Sequence, residues 1–158
     1  MLLNDVMRRL RFALSLDNTA TINIFKLVDY TLDEEYLMNM MRREEEKGFL
    51  PCRDKILCLF LDGLIVKNRG KQDGASPKPL KAGERLSNND ILRKIKIAMS
   101  YQQDDMMDVL RLAGFPVGKS ELSALFRKPD HRSYRACGDQ LLRNFLNGMV
   151  KSLRSDVQ

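Results

Sequence analysis

Three cysteines and one histidine are the residue types in this sequence best suited to nucleophilic or metal chemistry. Cys52 and Cys137 each stand two residues before an aspartate, where an apolar helix is predicted to begin. A thiol at that place either packs as a small apolar side chain or ionises because the helix N-terminus lowers its pKa. We favour the packing role and keep the reactive thiolate as the alternative.

The single histidine, His131, lies six residues before Cys137 in KPDHRSYRACGD. A Cys–His nucleophile requires the loop and the helix start to converge, whereas a lone histidine in a basic loop is usually a surface residue. Cys52, Cys58, Cys137 and His131 together have metal-binding residue types, but no pair has zinc-finger spacing. No glycine-rich phosphate loop is present. We therefore predict no catalytic residue, no metal, no cofactor and no enzymatic activity.

Clustered basic residues are the remaining candidates for a ligand-binding function. The net charge is +6; it divides into −2 over residues 1–66, +4 over 67–87 and +4 over 88–158. Lysines and arginines grouped on one surface are the electrostatic mark of phosphate binding. The acidic balance of the first part and the absence of a standard reader motif oppose that function. The candidate anion or nucleic-acid contacts are Arg8, Arg11, Arg93, Lys96, Lys128, Arg132 and Arg135.

The sequence contains an internal repeat with an offset of 85 residues, and the residues named above lie within its two units. CRDKILCLFLDGLI recurs as CGDQLLRNFLNGMV, and no gap is needed between residues 4 and 66. Self-similarity at a fixed offset indicates a duplicated structural unit. The repeated motif consists of Arg42, Cys52, Asp54, Phe60 and Gly63, matched by Arg127, Cys137, Asp139, Phe145 and Gly148.

Each unit has the apolar periodicity of four helices, so we predict an all-α fold of two tandem four-helix repeats. The repeats are expected to share one core around a pseudo-twofold axis. The first two helices are predicted at about 5–16 and 19–28, and capping-box spacing occurs at Thr31/Glu34 and Ser87/Asp90. The predicted divisions are repeat 1 at 1–66, a flexible Lys-, Gly- and Pro-rich linker at 67–87, repeat 2 at 88–154 and a tail at 155–158.

The fourth helix of each unit is apolar nearly all round, so it is expected to be buried. A glycine inside this helix lowers its stability by about 1 kcal/mol relative to alanine. Its presence in both units therefore indicates that a neighbouring element packs closely against it. We predict that the two fourth helices cross at Gly63 and Gly148. We also predict that Arg42 reaches Asp54, and that their counterparts Arg127 and Asp139 pair likewise.

The elements NDVMRRLRFAL, GFLPCRDKILCLFLDGLI, NNDILRKIKIAM and RSYRACGDQLLRNFLNGMV resemble the YehS-like family, small bacterial proteins with two copies of a domain of unknown function. The resemblance implies a bacterial cytoplasmic protein but supplies no activity. The sequence has no apolar run long enough to span a membrane, so we predict no membrane role. We therefore expect a protein-interaction or regulatory module with an unknown protein partner, and keep nucleic-acid binding as the alternative. The oligomeric state stays open.

Overall fold

The computed structural model describes residues 1–71, 80–81 and 83–154, which form eight α-helices and no strand. The helices are α1 Leu3–Ala13, α2 Asn18–Lys26, α3 Glu34–Met40, α4 Asp54–Arg69, α5 Asn88–Ala98, α6 Gln103–Leu112, α7 Lys119–Leu125 and α8 Asp139–Leu153. Helices α5 to α8 begin 85 residues after α1 to α4, so the predicted all-α tandem repeat is confirmed. Within these described ranges, no helix combines the length and apolarity needed to cross a bilayer.

The helix ends follow local chemistry. The first helix ends at Ala13, short of the predicted boundary, because Ser15 takes a left-handed φ of 55° and lets Leu16 donate to the carbonyl of Arg11. Ser100 repeats this geometry after α5 with a φ of 54°. Its recurrence at the same repeat position explains one of the identities between the two units.

Only one of the two predicted capping boxes forms. Ser87 Oγ accepts from the backbone of Asp90, and the Asp90 carboxylate accepts from the backbone of Ser87. Helix α3 begins at Glu34 without a side-chain cap, so the Thr31 box is wrong. Helix α4 continues to Arg69, into the predicted linker. Linker residues 72–79 and 82 and the tail at 155–158 lie outside the described residues.

The first helix of each repeat packs on the fourth helix of the other. Helix α1 lies on α8, and α5 lies on α4, while α2 and α6 pack on the fourth helices of their own repeats. The apolar face of α1 is buried at Val6, Met7, Leu10 and Ala13, and that of α5 is buried one repeat later. Side chains of both repeats therefore form one core, and the exchange is reciprocal, as pseudo-twofold symmetry requires.

The predicted crossing of the fourth helices is wrong, although the glycines do mark close contacts. Gly63 faces the backbone of Ile24 in α2, and Gly148 faces the backbone of Val109 in α6. A Cβ atom at either glycine would lie within 3.0 Å of a carbonyl oxygen. The repeated glycine therefore allows the second helix of the same repeat to approach, and it is not a junction between repeats.

The aspartates at the start of α4 and α8 each accept a hydrogen bond from a main-chain nitrogen just before the first helix of the other repeat. Asp54 accepts a hydrogen bond from the backbone N–H of Leu86 at 2.7 Å. Asp139 accepts one from the N-terminal nitrogen of Met1 at 2.9 Å. Leu86 and Met1 occupy equivalent positions, each just before a first helix, so these bonds form a reciprocal pair between repeats.

The arginines predicted to bridge those aspartates stay within their own turns. Arg42 Nε donates to Asn39 at 3.0 Å, and Arg127 lies 3.4 Å from Nε2 of His131. The predicted Arg–Asp bridges are therefore wrong. The carboxylates of Asp54 and Asp139 instead accept hydrogen bonds from the residue just before the first helix of the other repeat. Residue spacing within one unit does not reveal this contact.

Candidate functional site

Arg8 and Arg93, which are predicted to contact nucleic acid, form hydrogen bonds to the ends of the third helices. Arg8 donates to the carbonyls of Met41 and Arg42 at the end of α3, at 3.3 and 3.0 Å. Arg93 donates to the carbonyl of Phe126 at the end of α7, at 3.3 Å. Arginine donors satisfy carbonyls that a helix end leaves free. These two cations are therefore engaged in folding contacts.

Arg11 and Lys96 are also occupied. Arg11 donates to Asn18 at 2.7 Å, and burial lowers the pKa of its guanidinium. Lys96 lies 4.8 Å from the centre of the Phe126 ring, a cation–π contact. All four cations that the nucleic-acid hypothesis places on the first helices therefore make contacts within the fold, and Lys96 also borders the groove described below.

A polar contact on each side joins the two repeats. Lys94 in α5 forms an ion pair with Asp62 in α4 at 2.6 Å, and Asp62 is only 3 % exposed. On the equivalent side, Arg9 donates to Asn147. Burial raises the pKa of Asp62, while Lys94 opposes that rise. The Cys58 thiol donates to the same carboxylate at 3.6 Å, and burial raises its pKa.

One buried asparagine in each repeat, not predicted as a functional residue, forms three hydrogen bonds that hold the repeat together. Asn4 donates to the carbonyls of Met40 and Leu50, both at 2.9 Å, and accepts from the N–H of Cys52 at 2.8 Å. Asn89 makes the same three bonds one repeat later, to Leu125, Arg135 and Cys137. The signal in the sequence for this role is an asparagine that recurs at the same repeat position, beside the apolar face of each first helix.

The repeated cysteines have the chemistry of packed thiols. Burial, with a smaller contribution from Asp54, raises the pKa of Cys52 from 9.0 to about 12. Burial and the carboxylate of Asp139 raise the pKa of Cys137 to about 11. Both thiols are therefore neutral at physiological pH. The thiolate alternative fails because desolvation outweighs the helix N-terminus.

The possible Cys–His pair is not assembled. His131 is exposed, and its Nδ1 accepts from the backbone N–H of Ser133 at 2.9 Å. The thiol of Cys137 instead donates to the carbonyl of Gly138 at 3.6 Å. Among the residues that the structure describes, no three His, Cys, Asp or Glu side chains gather as metal ligands.

Several exposed cations of the second repeat lie on α7 and the turn after it. We name residues 119–135 the basic segment; it contains five Lys or Arg and two Asp or Glu, a net charge of +3. Arg135 lies 3.5 Å from Glu121. The side chains of Lys128 and Arg132 are exposed and have no partner within the described part of the chain. These predicted contacts are therefore available to a ligand.

An open groove of about 370 Å³ adjoins the basic segment. Its lining combines the apolar side chains of Leu122 and Phe126 with the cations Lys96 and Arg127, and it is completed by Gln103 and Ser123. Gln103 donates to the hydroxyl of Ser123 at 3.0 Å, and among the described residues it forms no hydrogen bond with Lys96. In the first repeat the equivalent pair, Arg11 and Asn18, is joined by the hydrogen bond described above.

The comparisons with known proteins agree with this architecture. The family model described as protein of unknown function (DUF1456) matches residues 3–70 and 88–155. The chain is 39% identical over 150 residues to the uncharacterized protein YehS of Escherichia coli (strain K12), covering 95% of each. No solved structure gives a significant match. Because the family model spans both repeats, the chain belongs to the DUF1456 family of proteins of unknown function, with two copies of its domain.

Proposed function

We propose that the protein is a non-enzymatic interaction module that binds an acidic segment of a partner protein in the groove beside the basic segment. The lining of that groove carries the proposal, because the half-buried side chain of Phe126, with Leu122 buried beneath the groove, accompanies the cations Lys96 and Arg127. Such a lining complements a short segment in which an apolar side chain is flanked by carboxylates. The unpartnered Lys128 and Arg132 extend the positive charge beyond the groove.

A labelled peptide of alternating Glu and Leu tests the proposal, with a peptide of alternating Gln and Leu as its neutral counterpart. Fluorescence anisotropy should show that the Glu peptide binds at least about tenfold more tightly, a difference of about 1.4 kcal/mol. The preference should shrink as salt rises, because exposed charges are screened. Equal binding of the two peptides would overturn the proposal.

A matched pair of variants locates the binding. Arg127→Glu reverses a cation that lines the groove, whereas Arg42→Glu reverses the equivalent residue of the first repeat. The first should weaken binding of the Glu peptide by about tenfold or more, and the second should leave it unchanged. An equal loss in both variants would place the interaction elsewhere and remove the groove from it.

Nucleic acid is the second candidate, because Lys128 and Arg132 are exposed and free to meet phosphates. Labelled random DNA and RNA at about 50 and 200 mM salt test it, since phosphate binding falls steeply with salt. Tight, salt-sensitive binding stronger than that of the Glu peptide would favour this function. Absence of binding at the lower salt would exclude it.

A further inference from the structure

The first repeat contains a segment with the chemistry that the groove requires. Residues 34–50, the acidic segment, occupy the positions equivalent to the basic segment and contain five Glu against three Lys or Arg, a net charge of −2. Glu44 and Glu45 are exposed, and their side chains have no partner among the described residues. Glu46 bonds within its own turn, accepting from the backbone N–H of Arg43 at 3.0 Å.

An exposed methionine gives this segment an apolar anchor. Met38 is 50% exposed on the surface of α3. Glu34 and Glu35 precede it by four and three residues, so they share its side of the helix. The acidic segment therefore presents an apolar side chain near carboxylates, whereas the groove presents the side chain of Phe126 near cations.

The two segments also share one backbone geometry. Leu50 donates to the carbonyl of Asn39 in the first repeat, and Arg135 donates to that of Ala124 in the second, at 3.2 and 3.1 Å. Because the supporting turns match, charge and exposed side chains are what distinguish the two surfaces.

We propose that a second copy of this chain occupies the groove: the acidic segment of one copy binds the basic segment of another, with Met38 placed against the half-buried side chain of Phe126. This inference rests on the proposed function and names its partner. Each contact leaves one acidic and one basic segment unused, so association is head-to-tail and continues into rings or open chains. The overall charge of +6 opposes association, so the contact is expected to be weak and salt-sensitive.

Charge reversal in two separate variants tests this pairing. The first carries Glu44→Lys, Glu45→Lys and Glu46→Lys; the second carries Arg127→Glu, Lys128→Glu and Arg132→Glu. Sedimentation velocity at about 20 mM salt should show wild-type mass rising with concentration, and about 300 mM salt should abolish the rise. Each variant alone should remain monomeric, and their equimolar mixture should associate, because it restores one acidic and one basic partner.

Two further substitutions test the apolar anchor. Met38→Gln should weaken self-association about tenfold or more. Leu27→Gln, which changes another exposed apolar side chain at 38% exposure, should leave it unchanged. Equal effects of the two substitutions would contradict the placement of Met38 in the groove.

The outcomes separate this inference from the proposed function. A wild-type chain that stays monomeric at low salt overturns self-association, and so does a mixture of reversed variants that fails to associate. The proposed function is judged independently by binding of the Glu–Leu peptide to the variant carrying the three Glu-to-Lys changes, which retains the groove. Peptide binding without self-association would retain the function and reject the second copy as its partner.

Discussion

The acidic and basic segments occupy equivalent places in the two repeats and carry opposite charge. Their inward residues are alike: Leu37 and Met40 are fully buried in one, and Leu122 and Leu125 are buried in the other. Their outward residues differ, since Glu46 stands where His131 stands in the second repeat. The comparison shows that packing maintains the repeat while the surface is free to diverge. The function we propose depends on that divergence.

The largest expected effects test the shared interior. Asn4→Ala and Asn89→Ala each remove three hydrogen bonds and leave buried backbone groups without partners, so each should destabilise by about 3 kcal/mol or more. Urea denaturation measures this, with Asn23→Ala as a control at an exposed helix position. Losses below about 1 kcal/mol at either asparagine would contradict an equivalent role in the two repeats.

A second prediction concerns the unequal contacts between repeats. Asp62→Ala leaves Lys94 without its partner and should cost about 3 kcal/mol. Asp62→Asn should cost less, because Asn147 already serves a cation at the equivalent position. Thermal or urea unfolding ranks the two variants. If asparagine were as damaging as alanine, the equivalence of the two contacts would fail.

The buried thiols predict an alkaline loss of stability. Because the pKa of Cys52 is raised from 9.0 to about 12, the unfolded thiol ionises first and stability falls as pH rises through that window. Its contribution should decline by about 1.4 kcal/mol per pH unit above pH 9. Urea melts of wild type and Cys52→Ala between about pH 8 and 10 measure the difference. Parallel pH profiles would contradict the burial of a neutral thiol.

The smallest stability effect is expected from exchanging surface residues. The changes Pro129→Glu, Asp130→Glu, His131→Glu and Arg132→Lys give the second-repeat turn the sequence of the first. Stability should change by about 1 kcal/mol or less, because these side chains are exposed. Binding of the Glu–Leu peptide should nevertheless fall, as anisotropy would show. Unfolding of this variant would mean that the turn sequence also constrains the fold.

The sequence predicted the repeated architecture because burial leaves a periodic pattern. The apolar run around Phe60 and its recurrence at Phe145 indicated a buried helix in each unit, and both phenylalanines are fully buried. The neighbour of Gly63 was not predictable, since the sequence records the need for close approach but not which helix provides it. The packing of each first helix on the fourth helix of the other repeat was likewise not predictable, because it joins residues that are far apart in the sequence.

The candidate site was predictable only in part. Lys128 and Arg132 were identified by charge and are exposed. Arg8 and Arg93 carry the same charge, yet their side chains fold back onto helix ends. Residue type alone does not distinguish these situations, because the distinction depends on where the carbonyls of another helix lie. The groove also required the relative placement of α5, α6 and α7.

The packing of α1 on α8 has a consequence for synthesis of the chain. A ribosome adds about 5–20 residues per second, so α8 is completed on the order of ten seconds after α1. During that interval α1, whose residues Val6 and Leu10 end fully buried, lacks the helix against which it mainly packs and has only its smaller contacts within the first repeat, such as that with α4. The apolar face of α1 is therefore incompletely covered through most of the translation of the two repeats, and α1 is secured only when α8 has been made.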